Sequence, residues 1–551
     1  MEEVLMRGFR NRAAVTGAVA VAVLGLSLVP VAPATATTTA ATAGPQDGHV
    51  YALTAAHSGK NAQVKSASSA DAAEVVQNAA ADDASQLWQT VAQSDGSFSL
   101  VNINSGKCMD VKGASTSAGE SVIQWPCSGR PNQRWTFNGS AVKSVNSGMC
   151  LDVKGGSVGD NTPLIQWSCS SDKNQQWSLT ERPRVGAFAP AVTSGGDTFS
   201  EQTLRMVVHT SVAGSGVRIR VSNLRGTISL SVGAVDVAVR SSGAAAVPGT
   251  HRTVTFGGVG NPTVAAGAEV TSDVIPMSVS AGQDLLVSLY LPGATGASTF
   301  HRDAYQTSYR SEAGSGNHAG EDAATNFTTS MWSWYYVSGV DVAPAGVTNG
   351  TVVAFGDSIT DGYNSTLESN RRWPDRLAAR LQSASGGQRL SVVNAGIGGN
   401  MVRADAGWAP QGLAATVRFA HDALGQRGVR DVIFMEGIND INNNPSLTAD
   451  QLIAGYQDII AQAHAAGVRI IGGTMLPYSP LNSTKAGIRT TVNNWIRTSG
   501  AFDAVIDFDS VMRDPGNPAQ MLPAYDSGDH LHPNDAGMQA MANAVDLSAL
   551  R

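Results

Sequence analysis

The length, composition and charge of the chain limit what it can be. It has 551 residues, of which 42% are hydrophobic and 15% are charged. At ~100–200 residues per domain, this length predicts three or four domains, and the apolar content excludes disorder for most of the chain. Lysine and arginine total 37 against 44 aspartate and glutamate residues, so the net charge is −7. Duplex nucleic acid is bound through a basic face, and we therefore expect no nucleic-acid partner.

The N-terminus has the layout of a secretory signal peptide. Basic residues at positions 7, 10 and 12 precede an apolar run over 13–29, and Ala34-Thr35-Ala36 is a candidate cleavage site. The alternative is a membrane anchor, but this run of 17 residues is at the short limit for a span. We predict a signal peptide over 1–36, a linker over 37–48 and a secreted, extracellular protein without stable membrane association.

Residues 49–181 contain three internal repeats, which decide the fold of this region. In two of them an Asp is followed after fifteen residues by a Trp, and after 25 residues by the Trp of a Q-x-W triplet. The second and third repeats carry, in chain order, Cys108, Asp110, Trp125, Cys127, Asn132, Gln133 and Trp135, then Cys150, Asp152, Trp167, Cys169, Asn174, Gln175 and Trp177. The first repeat keeps Trp88, but it has Gln63 for the Asp and Asn78 for the earlier Trp.

This pattern resembles the ricin-B-type β-trefoil lectins, a carbohydrate-binding family. The resemblance implies three four-stranded units packed around a pseudo-threefold axis, with the Q-x-W tryptophans in the core. An Asp can accept hydrogen bonds from sugar hydroxyls and an indole can stack on a pyranose. The implied carbohydrate-binding residues are Asp110, Trp125, Asn132 and Gln133, and Asp152, Trp167, Asn174 and Gln175.

The four cysteines fall into two pairs, each inside one repeat. A secreted chain has oxidising surroundings, so we expect the disulfides Cys108–Cys127 and Cys150–Cys169. A zinc site is the alternative, and the absence of a C-x-x-C motif disfavours it.

Residues 183–345 predict an all-β sandwich. Short alternating runs, such as Leu204–His209 and Asp284–Tyr290, are separated by Gly, Pro and Asn turns. This pattern of short strands and turns resembles the β domain that precedes the hydrolase in some actinobacterial GDSL esterases. His301 is isolated, and we expect a structural role for it. Trp332, Trp334 and Tyr336 alternate as one face of a strand does, which favours core packing over a substrate-facing strip.

Residues 348–551 alternate short apolar runs with helical stretches, which predicts a parallel sheet with helices on both faces. The predicted strands are Val352–Phe355, Leu390–Asn394, Val429–Met435, Val468–Gly473 and Ala504–Phe508. The predicted helices are Trp373–Gln382, Ala414–Leu424, Ala449–Ala466, Ile488–Thr498 and Asp535–Leu547. Sites in such sheets form at the carboxyl ends of the strands.

Those strand ends carry residues for nucleophilic catalysis. Ser358 follows the first strand, and His532 and Asp529 stand three residues apart near the C-terminus. A serine nucleophile needs a base, and the base needs an orienting carboxylate. The amides of Ser358 and Gly399 and the side chain of Asn439 are candidate donors for an oxyanion.

The four blocks around these residues resemble the SGNH (GDSL) hydrolases. The resemblance implies a flavodoxin-like three-layer αβα fold, with Ser358 as nucleophile, His532 as base, Asp529 as its partner, and Gly399 and Asn439 as oxyanion donors. Gly398 is the alternative to Gly399. No G-x-S-x-G elbow surrounds Ser358, which disfavours the α/β-hydrolase fold. A metal hydrolase built on His530-Leu531-His532 lacks a third ligand, and we expect no metal and no cofactor.

We therefore predict a three-domain protein in which a lectin module accompanies a serine esterase. The expected partner is a polysaccharide or glycan ester, cleaved at a short acyl group, and we assume a monomer. The alternatives are a lipase or broad carboxylesterase, and a sugar-binding protein with an inert hydrolase domain. The complete set of catalytic residue types disfavours the inert form.

Overall fold

The structure is a computed structural model that describes residues 44–81, 83–344, 350–384, 390–405 and 407–550. The predicted signal peptide and most of the predicted linker lie outside these residues. No helix in the described ranges combines the length and apolar character that a membrane crossing requires.

The first region is an antiparallel array of short strands with threefold repetition. Its strands are β1 (Val50–Ala55), β2 (Asn61–Val64), β3 (Val75–Asn78), β4 (Leu87–Ala92), β5 (Phe98–Asn102), β6 (Cys108–Val111), β7 (Val122–Trp125), β8 (Arg134–Asn138), β9 (Ala141–Ser144), β10 (Cys150–Val153), β11 (Thr162–Trp167) and β12 (Trp177–Glu181). Strand β12 pairs with β1, so the last repeat closes against the first. The β-trefoil prediction is confirmed.

The three Q-x-W tryptophans anchor the core of the trefoil, as predicted. Trp88, Trp135 and Trp177 are buried. Each indole Nε1 donates to a backbone carbonyl of its own repeat, those of Ala62, Met109 and Leu151, at 3.0 to 3.1 Å. Burying an indole is favourable when its N–H finds a partner, and here all three do.

The middle region is all-β, as predicted. Its strands are β13 (Val185–Phe188), β14 (Thr193–Gly196), β15 (Gln202–His209), β16 (Gly214–Ser222), β17 (Leu230–Ser231), β18 (Ala234–Ser242), β19 (Ala245–Ala246), β20 (Arg252–Thr253), β21 (Thr263–Val264), β22 (Glu269–Thr271), β23 (Ile275–Val279), β24 (Asp284–Leu291), β25 (Ser298–His301), β26 (Ser308–Arg310), β27 (Thr329–Met331), β28 (Trp334–Tyr335) and β29 (Val337–Pro344). One antiparallel sheet contains β13, β29 and β16, and another contains β18, β24 and β15. Their apolar faces share one core.

The aromatic segment of this region differs from the expected regular strand. Trp334 and Tyr336 are buried as predicted, but Trp332 is 60% exposed and Tyr335 is buried as well. Period-two alternation needs extended backbone, whereas β28 is two residues long and Tyr336 has φ of +60°. The prediction of one buried face was therefore wrong at Trp332.

The C-terminal region contains the predicted parallel sheet. Its strands are β30 (Gly350–Gly356), β31 (Leu390–Gly396), β32 (Val429–Met435), β33 (Arg469–Gly473), β34 (Ala504–Ile506), β35 (Arg513–Asp514) and β36 (Asn517–Met521). The helices are α1 (Ser358–Asp361), α2 (Trp373–Ser383), α3 (Ala415–Phe419), α4 (Ile438–Asn443), α5 (Ala449–Ala465), α6 (Ser483–Thr498), α7 (Phe508–Met512) and α8 (Asp535–Ala544). The parallel strands run in the order β31-β30-β32-β33-β34. This is the flavodoxin-like order 2-1-3-4-5.

Several predicted boundaries in this region differ from the structure, and two of the differences arise from capping residues. Strand β34 ends at Ile506, because Asp507 caps helix α7 through the Ser510 amide and Phe508 begins that helix. Helix α6 begins at Ser483, where the Asn482 side chain accepts from the Lys485 amide. Both differences arise from Asp or Asn caps, which outweigh the apolar pattern at element ends.

The three regions pack on one another, and the chain from Gly44 onward forms one compact unit. Val50, Leu87 and Ile103 of the trefoil share a small apolar cluster with Ala343 of the middle region. Ala189 and Ala191 of the middle region join the core on one face of the parallel sheet. The middle region is therefore a neighbour of both of the others.

Candidate active site and carbohydrate sites

Ser358 lies at the topological switch point of the parallel sheet, where the order of successive strands reverses. It follows β30, whose neighbours β31 and β32 lead into Gly399 and Asn439. Crevices outside the strand ends at such a switch point are the usual ligand sites of open α/β sheets. The turn is held by Asp357, whose carboxylate accepts from the Ile359 amide at 3.0 Å, and Ser358 is 8% exposed.

The structure brings the three predicted reactive side chains together. The Ser358 hydroxyl lies 2.8 Å from His532 Nε2. His532 Nδ1 lies 2.6 Å from Asp529 Oδ2. The other Asp529 oxygen accepts from the amides of Leu531 and His532, which fixes the carboxylate in the turn. The hydroxyl, the imidazole and the carboxylate thus form one hydrogen-bonded chain.

Burial and hydrogen bonding give His532 and Asp529 complementary charge states. Burial lowers the pKa of His532 below its usual value, although Asp529 opposes the shift. Burial by itself would raise the pKa of Asp529, but the hydrogen bonds from His532 outweigh it and hold that pKa below its usual range. The imidazole is therefore neutral and the carboxylate ionised at neutral pH, as a base and its orienting partner require.

The loop after β31 presents Gly399 rather than Gly398 as a free donor. The Gly398 amide donates to Asp361 Oδ2 at 2.9 Å, so its N–H is already used. Gly399 has φ of +82°, and a Cβ there would lie 2.2 Å from the Gln411 side chain. Only glycine fits this backbone position. The Asn439 side-chain amide donates to the Asn400 carbonyl at 3.0 Å, which leaves its second N–H for another acceptor.

The sequence did not predict a role for Arg418, a buried arginine next to the loop that contains Gly399. Arg418 is 1% exposed and binds the Asn400 side chain at 2.7 Å and the Gly356 carbonyl at 2.8 Å. Arg418 therefore joins the loop that contains Gly399 to the end of strand β30, which precedes Ser358. The only sequence signal was an arginine within an apolar helical stretch.

Three buried acids, Asp357, Glu436 and Asp440, lie close enough to raise one another's pKa. Burial raises the pKa of Asp357 to about 7 and that of Asp440 to about 6, and it raises the pKa of Glu436 well above its usual value. Asp440 also accepts from the Val402 amide at 2.8 Å. Asp357 and Asp440 accept hydrogen bonds from backbone amides, whereas Glu436 faces Arg418, with 3.8 Å between Oε2 and Nη2.

The possible metal ligands near the nucleophile are engaged with protein groups. His530 Nδ1 lies 2.6 Å from Asp526, while His532 faces Ser358. Within the ranges that the structure describes, no three His, Cys, Asp or Glu side chains are grouped as metal ligands would be.

The second and third trefoil repeats each contain a hydrogen-bonded Asp beside an exposed Trp. Asp110 Oδ2 accepts from Asn132 and Gln133, both at 2.9 Å, and Trp125 is 43% exposed beside them. Asp152 Oδ2 accepts from Asn174 at 3.0 Å and from Gln175 at 2.8 Å, and Trp167 is 47% exposed. In both sites the amides orient one carboxylate oxygen, and an exposed indole supplies a stacking surface.

The corresponding place in the first repeat is closed. Asn78 donates to the Gln63 side chain at 2.6 Å, and Gln63 donates to Ser85 at 2.8 Å. The Asn161 amide of the third repeat donates to Asn78 at 2.8 Å and covers it. Protein groups thus use the hydrogen-bonding capacity that a ligand would need.

The predicted disulfides are confirmed. Cys108–Cys127 and Cys150–Cys169 each join cysteines 19 positions apart and close a loop next to the exposed indole of their repeat. A loop of this size contributes ~3 kcal/mol in the chain-entropy model.

The fold combines a flavodoxin-like α/β domain, an all-β middle region and a β-trefoil. Residues 354–540 match the family model of the GDSL-like lipase/acylhydrolases, and residues 49–177 match that of the ricin-type beta-trefoil lectin domain. The chain thus contains a GDSL-like hydrolase domain and a ricin-type lectin domain, as the sequence predicted. A search of the curated proteins finds no match.

Solved structures resemble parts of the chain. The designed 3-fold symmetric protein ThreeFoil is 40% identical over 24% of this chain and 97% of its own, with a TM-score of 0.23. The exo-beta-1,3-galactanase of Clostridium thermocellum is 33% identical over 25% of this chain and 31% of its own, with a TM-score of 0.24. A G-D-S-L family protein of Desulfitobacterium hafniense DCB-2 is 23% identical over 35% of this chain and 96% of its own, with a TM-score of 0.28.

Proposed function

We propose that the protein is a secreted serine esterase that removes short acyl groups from polysaccharides, to which its lectin domain binds. The observation that carries the proposal is the chain from the Ser358 hydroxyl through His532 to Asp529, with distances of 2.8 and 2.6 Å. This is the arrangement of a nucleophile, its base and the partner of the base.

In the proposed reaction Ser358 Oγ attacks the ester carbonyl carbon, and its proton passes to His532 Nε2. The carbonyl oxygen becomes an oxyanion that accepts from the amides of Ser358 and Gly399 and from Asn439. The intermediate collapses, His532 protonates the leaving alcohol, and an acyl-serine remains. Water then attacks the acyl group, His532 takes its proton, and the acid and free Ser358 are released.

The lectin domain is proposed to hold the polymer at two sites. In each site the unpaired oxygen of Asp110 or Asp152 would accept from sugar hydroxyls while Trp125 or Trp167 stacks on the ring. Gln133 and Gln175 are buried and point at these carboxylates, so we assign them to orienting the Asp rather than contacting sugar.

A lipase is the competing function, because the matching family description includes lipases. The two are separated by the acyl length that the enzyme prefers. Purified protein is assayed on p-nitrophenyl esters from acetyl to chains of about ten carbons, and on acetylated xylan, with Ser358→Ala as the background control. We expect acetyl esters to be cleaved fastest and acetate to be released from the polymer.

Two outcomes contradict the proposal in different ways. Faster turnover of the long-chain esters would favour the lipase. Equal activity of the wild type and Ser358→Ala on every ester would mean that the hydrolase domain is inert or uses another nucleophile.

A further inference from the structure

A buried histidine of the middle region, His301, contacts the short helix that begins at Ser358. His301 ends strand β25, and its Nδ1 lies 2.8 Å from the Ala191 carbonyl oxygen. A carbonyl only accepts, so Nδ1 carries the proton and donates. Its Nε2 lies 3.0 Å from Asp361 Oδ1 in the hydrolase domain. His301 is 3% exposed and Asp361 is 2% exposed, so the contact is closed to solvent.

Asp361 connects this histidine to both halves of the reacting site. It ends helix α1, which Ser358 begins, and its own amide donates to the Asp357 carbonyl at 2.9 Å. Its second carboxylate oxygen accepts from the Gly398 amide at 2.9 Å. Gly399 follows directly, so the hydrogen-bonded path from His301 ends one peptide from the proposed oxyanion donor.

The electrostatics of the pair favour a tight contact. Burial disfavours a charged imidazole, but the Asp361 carboxylate outweighs it, and the pKa of His301 lies above its usual value. Leaving either group buried without the other would expose an unpaired polar group to a low-dielectric interior, which is costly. Loss of the histidine would therefore leave Asp361, the acceptor of the Gly398 amide, without its buried partner.

Arg302 and Asp303, which follow His301 in the chain, contact the loop that contains Gly398. A Cβ added at Gly398 would lie 2.6 Å from Asp303 Oδ2 and 2.8 Å from Arg302 Nη2. The Arg302 guanidinium also lies 4.6 Å above the Trp408 ring, further along the loop. The segment 301–303 of the middle region thus packs against the loop that follows β31.

We propose that His301 is a positioning residue of the esterase, which sets the Gly399 oxyanion donor through Asp361 and Gly398 and makes the middle region part of the catalytic apparatus. The inference rests on the proposed function. Donor position matters because a ~1 Å misplacement near a reacting centre can cost ~10²-fold in rate.

The test compares His301→Leu with His301→Gln in the full-length protein on p-nitrophenyl acetate. Leu removes both hydrogen bonds, and we expect kcat to fall ~10–100-fold while KM stays within about twofold, because the donor acts in the transition state. Gln retains a side-chain N–H that can reach Asp361, and we expect it to restore most of kcat. His251→Leu is the matched control, since His251 pairs with Asp236 in the same region but away from the hydrolase domain.

A double-mutant cycle tests the path itself. If His301 acts through Asp361, the variant with both His301→Leu and Asp361→Ala should be no slower than Asp361→Ala alone. Additive losses in kcat, a rise in KM at unchanged kcat, or equal losses in His301→Leu and His251→Leu would each overturn the inference. An inactive wild type, or activity that persists in Ser358→Ala, would contradict the proposed function instead.

Discussion

The trefoil and the hydrolase domain assemble their candidate sites from very different lengths of chain. In the trefoil each carboxylate, its two amides and its indole come from one repeat, within about 25 residues of chain. In the hydrolase domain Ser358 and His532 are separated by 174 residues and meet only because the sheet places their loops at one edge. We therefore expect each trefoil site to be independent of the others, and the proposed hydrolase site to need all of its parts.

The first repeat keeps the fold without an Asp–Trp site. Trp88 is buried and its indole donates to the Ala62 carbonyl, while Gln63 and Asn78 bond to each other where the other repeats have an Asp and an exposed Trp. The three Q-x-W tryptophans share one core, whereas each acid and each exposed indole belong to the site of a single repeat. Each trefoil site can accordingly change without unfolding the domain.

The largest expected effect tests whether the hydrolase site acts as a unit. Ser358→Ala and His532→Ala should each lower kcat by ~10⁴-fold or more on p-nitrophenyl acetate, and the double variant should be little worse. Activity of His532→Ala within about tenfold of wild type would show that another group serves as the base.

The next effect concerns the oxyanion donor. Asn439→Ala should lower kcat by ~10²–10³-fold with little change in KM, because its N–H is used most strongly in the transition state. Steady-state kinetics on the same ester measure both constants. If KM rises while kcat holds, Asn439 binds the ground state and the oxyanion lies elsewhere.

A smaller effect is expected in the trefoil, and it should leave the hydrolase untouched. Replacing Asp110 and Asp152 together by Ala should weaken retention on polysaccharide by ~10-fold or more, since each change removes a charged hydrogen-bond acceptor. Gln63→Ala is the matched control and should bind as wild type does. Hydrolysis of a small soluble ester should be equal in all three proteins. Undiminished retention of the double variant would make the trefoil a structural domain.

The smallest effect is a shift in pH dependence. His532 must be neutral to accept the Ser358 proton, so activity is lost as the pH falls through its pKa, which burial holds below the usual value. Asp529 raises that pKa, and Asp529→Asn should therefore move the acid limb of kcat/KM to lower pH while lowering the plateau. An acid limb that moves to higher pH would contradict the assigned pairing.

Much of the site could be predicted because its residues stand in short blocks. Ser358, Gly399, Asn439 and the Asp529–His532 pair each follow a strand or precede the last helix. Gly399 rather than Gly398 stays the proposed oxyanion donor, since the Gly398 amide donates to Asp361. The role of Arg418 was not predictable, because its partners lie on two separate segments, at Gly356 and at Ala395 to Asn400, and no spacing in the sequence marks them.

The sequence by itself determined the repeats, the disulfide pairs and the order of the folds, and it supplied the candidate reactive side chains. These depend on local spacing, on alternation of apolar residues and on chemistry that few residue types can perform. Only the tertiary structure decided which groups meet across regions. An isolated histidine such as His301 carries no periodic signal, and its buried contact with Asp361 exists because the middle region packs on the hydrolase domain. Burial and charge partners arise from that packing, so they also set the pKa values and the positions on which the proposed reaction depends.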